Sequence, residues 1–335
     1  MSTEPTQLPG SSTRFVIIGG AGFIGSHFTD HLLARANTQA VTLYDNFTSG
    51  RPWHYAHHEA DPRLKVVKGE VRDMALLEAT LAGHDTVIHL ASNPDIAKAM
   101  TDPTVDFHEG TELTHFVVEA MRRAGTGRIL YASGSGIYGD LHEHEAREDH
   151  GPLVPVSTYG ASKLAGEALI SAYAHMFGLW GRAFRFGNVV GPRQTHGVGF
   201  DFVRRLLAEP TELAILGDGR QSKSYIHVHD VVDAVMTVAD GPLDPPFDAY
   251  NVATGDYITV TEIAEVAVGV VGLGPGAVRF AYTGGDRGWK GDVPIVRLDT
   301  HRINATGWRC RRNTRQALQD SMAAMVEDAR AGRLT

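Results

Sequence analysis

Cysteine is nearly absent from this chain: Cys310 stands alone among 335 residues. No intrachain disulfide can form, and the composition fits a reducing cytoplasm. No stretch approaches ~18 consecutive apolar residues, so no membrane-spanning helix is expected. Basic residues are in deficit, with 31 Lys and Arg against 39 Asp and Glu, a formal net charge of −8. That balance argues against a broad nucleic-acid footprint, which needs clustered Lys and Arg. It leaves room for a local basic site that takes a diphosphate. The opening MSTEPTQLPGSS has no apolar core, so it does not read as a signal peptide, and residues 1–12 are expected to form a disordered tail. There is no internal repeat and no long low-complexity linker. What is present, 43% hydrophobic and 21% charged residues, suits a packed globule of one large domain or two smaller ones.

The first half alternates between two periodicities. RFVIIGG (14–20), AVTLYD (40–45), LKVVKGEV (64–71), DTVIHLAS (85–92), GRILYASGS (127–135) and WGRAFRFGNVVG (180–191) read as strands. Between them AGFIGSHFTDHLLARA (21–36), LLEATLAG (76–83), Phe107 to Ala124 and TYGASKLAGEALISAYAHMFG (158–178) carry helical spacing. Such alternation predicts an α/β fold, a Rossmann-type doubly wound parallel sheet. After about residue 190 the pattern becomes a mosaic. Helices are predicted near 199–208, 260–271 and 313–332, and a strand pattern is predicted to carry His227 and His229. This reads as a smaller C-terminal α/β lobe.

Gly19-Gly20-Ala21-Gly22-Phe23-Ile24-Gly25 closes the first strand and opens the first helix. Gly19, Gly22 and Gly25 permit the tight turn and the approach of backbone N–H groups to a pyrophosphate, which the helix N-terminus favours electrostatically. Asp45 ends the second strand 20 positions after Gly25 (45 − 25). An acid there accepts hydrogen bonds from an adenosine ribose and repels a 2′-phosphate, which favours NAD over NADP. Tyr159 and Lys163, in YGASK, share one helical face. An ammonium beside a phenol favours the phenolate, so Tyr159 is the candidate base and Lys163 its partner.

With GGAGFIG (19–25), YDN (44–46), IHLAS (88–92), IYGD (137–140), YGASK (159–163), RFGNVVGPR (185–193), GDGRQSKSYIHVHD (217–230), GDVP (291–294) and LDTHRINATGW (298–308), nearly the whole chain resembles the extended short-chain dehydrogenase/reductase family. The resemblance is to its nucleotide-sugar epimerases and dehydratases, UDP-glucose/galactose 4-epimerases in particular. It implies that Phe23 and Ile24 hold the pyrophosphate of NAD, and that Asn46, Phe47, Thr48, Ser49 and Gly50 join Asp45 around the adenosine. Glu70 and Val71 then sit beside the adenine, Leu90, Ala91 and Ser92 under the dinucleotide, and Tyr159 and Lys163 beside its nicotinamide end, with Lys163 gripping the ribose. Asn188, Val198, Lys223, Arg287 and Asp292 are the implied contacts to a nucleotide-diphosphate sugar. The resemblance further implies a homodimer through helices 107–124 and 158–177. Its domain plan is an NAD-binding domain of residues 13–183, joined by about 225–254, and a substrate lobe of 184–224 and 255–335.

The departures from the family pattern carry information. The usual catalytic Ser or Thr is replaced by Gly134, flanked by Ser133 and Ser135. Ser135 is the favoured substitute and Ser133 its competitor. The 4,6-dehydratases carry an acidic pair where this chain has Ser135-Gly136, and sugar-acid decarboxylases carry Glu at the place of Gly136. Both absences point to epimerisation, at C4 by resemblance, through a transient 4-keto sugar. A dehydratase, decarboxylase or reductase is the alternative, and a dinucleotide-sensing binding protein a remoter one. The usual Arg after the GDG loop is Lys223, a point charge in place of a fork. Another usual Arg is Trp289, with Arg287 or Lys290 as substitute charges. The histidines of the acidic loop (His142, His144, His150) and those at 54, 57 and 58 read as solvated groups, with no metal expected.

Overall fold

The computed structural model describes residues 12–93, 96–288 and 291–333. Most of the expected tail, together with Trp289 and Lys290, lies outside the described residues. The regular elements run β1 (Arg14–Ile18), α1 (Phe23–Ala34), β2 (Ala40–Asp45), β3 (Leu64–Lys68), α2 (Met74–Leu81), β4 (Thr86–His89), α3 (Leu113–Ala124), β5 (Arg128–Gly134), α4 (Thr158–Phe177) and β6 (Trp180–Phe186). There follow β7 (Asn188–Val190), α5 (Val198–Ala208), β8 (Glu212–Ile215), β9 (Ser222–Lys223), β10 (Tyr225–His227), α6 (Val228–Ala239), β11 (Phe247–Val252), β12 (Ile258–Thr259), α7 (Val260–Val271), β13 (Arg279–Tyr282), α8 (His301–Ala305) and α9 (Thr314–Arg330).

Seven strands form the central sheet in the order β11-β6-β5-β4-β1-β2-β3. The steps β3-β2, β2-β1, β1-β4 and β4-β5 are parallel. Continuous apolar runs explain them. In β1 the four residues Phe15 to Ile18 are all buried, the mark of a strand covered on both faces. The order reverses direction between β1 and β4, the switch point where ligands of such sheets sit at the strand carboxyl ends.

Two compact units divide the chain. The first is Met1–Gly134, Ala161–Arg185 and Val235–Tyr250; the second is Ser135–Gly160, Phe186–Ala234 and Asn251–Thr335. Unlike the predicted boundaries, this division gives Ser135–Gly160 to the second unit and splits the 225–254 segment, only Val235–Tyr250 of it going with the first. In the first unit the Arg128 and Arg182 side chains are buried against Trp180, their guanidinium carbons 4.4 and 4.1 Å from its ring centroid. Arg128 donates to the Ala239 carbonyl and Arg182 to those of Gly181 and Pro242. Aromatic faces and carbonyl acceptors make these buried charges tolerable.

Two local readings are corrected. The predicted helix from Phe107 to Ala124 begins as a wider π-helical stretch, Phe107–Glu112, before α3. Gly110 lies so close to Ser162 that an added Cβ would meet its Oγ at 2.5 Å, so packing against α4 shapes this entry. His229 is not on a strand; β10 ends at His227, and His229 lies in the first turn of α6.

The second unit packs α5, α7 and α9 around β8 and β13, with Phe202, Val203, Leu213, Ile263, Leu318 and Met322 in its core. Capping boxes start two of these helices, Thr259 with Glu262 and Asn313 with Gln316.

Candidate active site

In the first unit, the carboxyl ends of β1, β2 and β4 build a cradle from backbone. Gly19 has φ +83, and a Cβ there would stand 2.9 Å from the Ala91 amide nitrogen. The position therefore needs glycine on two counts. Gly22 is the N-cap of α1 and provides no side-chain cap, so the first-turn N–H groups, those of Phe23 and Ile24 among them, face outward for an anion.

Asp45 is 7% exposed and both its oxygens hold the cradle together. Oδ2 accepts from the Ala21 amide at 2.9 Å and Oδ1 from the Phe47 amide at 2.8 Å. Burial pushes its carboxyl above the usual range, against the pull of those two N–H groups. The sequence pattern gives no sign of this tie between the glycine turn and the next loop. Gly50 closes the same loop, since a Cβ there would press on Ala21 at 2.8 Å and on Asp45 Oδ1 at 2.9 Å. Asn46 Oδ1 accepts from the Thr48 amide, and its Nδ2 donates to Glu70 Oε2 at 3.4 Å. The Tyr44 hydroxyl donates to the Glu70 carbonyl at 2.8 Å, with Val71 buried beside it. Leu90 and Ala91 both donate their amides to the Ile18 carbonyl, and Ser92 follows. Ser49 is exposed. These residues fit a dinucleotide: a side-chain-free turn, an uncapped helix start, and a carboxylate at the end of β2.

Helix α4 carries Tyr159 and Lys163 one turn apart. Lys163 is 3% exposed and donates to the Ala132 carbonyl of β5 at 2.8 Å. Burial lowers its ammonium to a pKa of about 8, with Asp106 opposing the fall. His89, on β4, is buried and held neutral, its pKa driven to about 3 by burial and then by the Lys163 charge. In the second unit, Gly160 touches the turn that follows β5. A Cβ on Gly160 would fall 2.4 Å from the Gly136 carbonyl oxygen. This contact brings the backbone carrying Ser135 against the backbone carrying Tyr159.

The two serines separate clearly. Ser133 is 4% exposed, and its hydroxyl donates to Glu167 Oε1 at 2.6 Å. Glu167 in turn accepts from Arg185 at 3.1 and 2.8 Å, all three within the first unit. Ser133 thus serves a buried charged network. Glu167, four residues beyond Lys163 on the same helical face, and Arg185 were not singled out from the sequence. Ser135 is only half-buried. At Gly134 an added Cβ would meet nothing within 4 Å.

The implied substrate contacts lie in the second unit. Lys223 Nζ donates to Asp292 Oδ1 at 2.5 Å, and Arg287 donates to the Asp292 carbonyl at 2.5 Å and to Asp140 Oδ2 at 2.7 Å. Arg287 and Lys223 therefore meet around Asp292. Asp140 was not assigned from the sequence. Burial works to raise its pKa, but the His142 amide and Arg287 outweigh it and leave it lowered. Asn188 donates through Nδ2 to the Ser224 carbonyl at 3.2 Å, next in sequence to Lys223. Val198 opens α5 and packs on the core.

A doubly wound sheet, a glycine cradle at its switch point and a Tyr–Lys helix define an NAD-dependent enzyme of the extended short-chain dehydrogenase type. The chain belongs to the NAD dependent epimerase/dehydratase family, whose model matches residues 15–253. A UDP-glucose 4-epimerase from Mycolicibacterium smegmatis is 32% identical over 322 residues, 94% of this chain and 97% of that protein. A solved UDP-galactose 4-epimerase matches with a TM-score of 0.82 at 32% identity, over 94% of this chain and 99% of that one. A dTDP-glucose 4,6-dehydratase from Streptomyces venezuelae, solved with NAD, matches with a TM-score of 0.85 at 28% identity, over 95% and 98%. Among the described residues, no helix is long and apolar enough to cross a membrane.

Proposed function

We propose that this enzyme interconverts the C4 epimers of a nucleotide-diphosphate sugar without net oxidation. The observation that carries the reading is the Tyr159–Lys163 helix beside a turn, Ser135-Gly136, that offers no carboxylic acid. Tyr159, as phenolate, takes the proton of the C4 hydroxyl. Ser135 donates a hydrogen bond to that oxygen, and Lys163 favours the charged form of the tyrosine. NAD, when bound, supplies the reversible hydride acceptor. Eliminating the 6-hydroxyl from a 4-keto sugar needs an acid for the leaving oxygen and a base for the C5 proton. Without them the ketone is reduced again, from either face. The neighbouring dehydratase fold makes elimination the second reading, and the missing acids oppose it.

The test is product analysis with a panel of UDP-, dTDP-, GDP- and ADP-sugars. Two sugars of equal mass should interconvert, with no steady rise in reduced-nicotinamide absorbance. A product lighter by water or carbon dioxide would overturn the reading. In the same assay Ser135→Ala should lower turnover by on the order of 10²-fold, the usual cost of one positioned donor. Ser133→Ala should act chiefly on stability, because its hydroxyl is spent on Glu167. The reverse order of turnover would return the donor role to Ser133.

We further propose a homodimer through the helical segments 107–124 and 158–177, supported by exposed Phe107, Met176 and Phe177 in the first unit. A monomer mass by light scattering at all concentrations would exclude it. The single cysteine supports a cytoplasmic setting.

A further inference from the structure

The histidines after the second-strand loop have no part in this chemistry, yet they converge. His57 and His58 occupy a 3-10 turn, Ala56–His58, of the first unit. The Nε2 atoms of both rings stand 2.8 Å from one oxygen, Oδ1 of Asp30, on α1. The ligand-bearing atoms of the three residues lie within 4.8 Å of one another, the one group of this kind among the described residues. From sequence alone these histidines read as solvated, because Asp30 stands 27 positions before His57 (57 − 30).

We propose that Asp30, His57 and His58 bind a divalent first-row transition ion, Zn²⁺ foremost, and that the ion clamps the 51–58 segment to α1. Two imidazole nitrogens and one carboxylate form a mixed N₂O set, which suits Zn²⁺ and excludes the all-oxygen preference of Ca²⁺ or Mg²⁺. The two rings lie side by side, 4.1 Å between centroids, with both Nε2 atoms toward the carboxylate. On binding, each neutral imidazole carries its proton on Nδ1 and offers the Nε2 lone pair; any imidazolium proton goes to solvent. Ligands about 2.0–2.1 Å from a tetrahedral ion sit roughly 3.3 Å apart, so each imidazole–carboxylate pair, now at 2.8 Å, opens by only about half an ångström. The exposure of His57, 51% of its side chain, admits the ion and leaves a coordination position for water. Upstream, the Arg51 amide donates to the Ala21 carbonyl at 3.0 Å, and His54 Nδ1 lies 2.8 Å from the same oxygen. The segment is therefore already fastened at its start to the glycine turn. An ion at 57–58 fastens its end, which stabilises the folded chain by mass action.

The experiment uses the untagged full-length chain, stripped with a chelator and titrated with Zn²⁺ by calorimetry. Co²⁺ is added separately for its visible absorption. One Zn²⁺ per chain should bind and raise the unfolding midpoint. Loss of an outer-shell partner alone costs about 10–100-fold in affinity. His57→Ala, His58→Ala and Asp30→Asn should each cost at least that much, while the acidic-loop pair His142→Ala and His144→Ala should cost nothing. Absence of binding by the wild-type chain would overturn the proposal. Equal binding by the His57→Ala/His58→Ala double variant, with unchanged circular dichroism, would place the ion elsewhere and overturn it too.

Discussion

Tyr159→Phe should abolish epimer interconversion, by about 10³-fold or more, while NAD stays bound. The loss follows from removing the hydroxyl proposed to take the sugar proton, and general-base removal costs roughly 10²–10⁴-fold. Retention of NAD is expected because the proposed cradle is built by the β1, β2 and β4 ends, where Gly19 and Gly22 leave the turn bare and Asp45 ties it to the next loop, all within the first unit. The comparison is made on purified variant and wild type, by cofactor content after denaturation and by product ratio at equilibrium. A variant that keeps more than about a tenth of the wild-type rate would assign the base elsewhere.

Lys163→Met should be as inactive as the tyrosine variant and yet more stable at neutral pH. Lys163 is buried and its pKa falls from 10.5 to about 8. Below pH 8 both folded and unfolded chains hold the proton, and the folded state bears the full cost of a buried ammonium. Between 8 and 10.5 the unfolded chain holds more protons, so wild-type stability rises with pH. Methionine has no such cost. The stability advantage of Lys163→Met should thus be greatest below pH 8 and shrink toward pH 10.5. Its ceiling is roughly 3 kcal/mol, since each tenfold loss of proton affinity on folding is worth about 1.4 kcal/mol. The lost hydrogen bond to the Ala132 carbonyl works against it. Urea unfolding at a series of pH values reads this difference. An advantage that grows above pH 8 would mean that burial does not strain the ammonium.

Much of this site is legible in the sequence. Gly19, Gly22 and Gly25 announce a turn because only backbone without a Cβ can make it, a constraint that acts over a few residues. Tyr159 and Lys163 announce a shared face because helical spacing is local. The strand and helix alternation likewise reports periodicity within each segment, which is why the order of elements through α4 was readable. Segment ends were less so: the π-helical entry at Phe107–Glu112 depends on Ser162, far along the chain.

Side-chain partners are a different matter. Ser133 and Ser135 are the same residue type two positions apart, and nothing local distinguishes a hydroxyl bound to Glu167 from a half-buried one. Asp45 reads as a ribose ligand from spacing, but its hold on the Ala21 and Phe47 amides emerges only when two turns pack together. Arg287 meets Asp140 across 147 positions, and Asp30 meets His57 across 27. The sequence by itself determined the sheet-and-helix order, the dinucleotide turn and the Tyr–Lys pair, because each depends on sterics and periodicity within a few residues. The tertiary structure alone decided which serine bonds Glu167, which charges meet and which histidines converge, because such contacts depend on how distant segments fill the same volume.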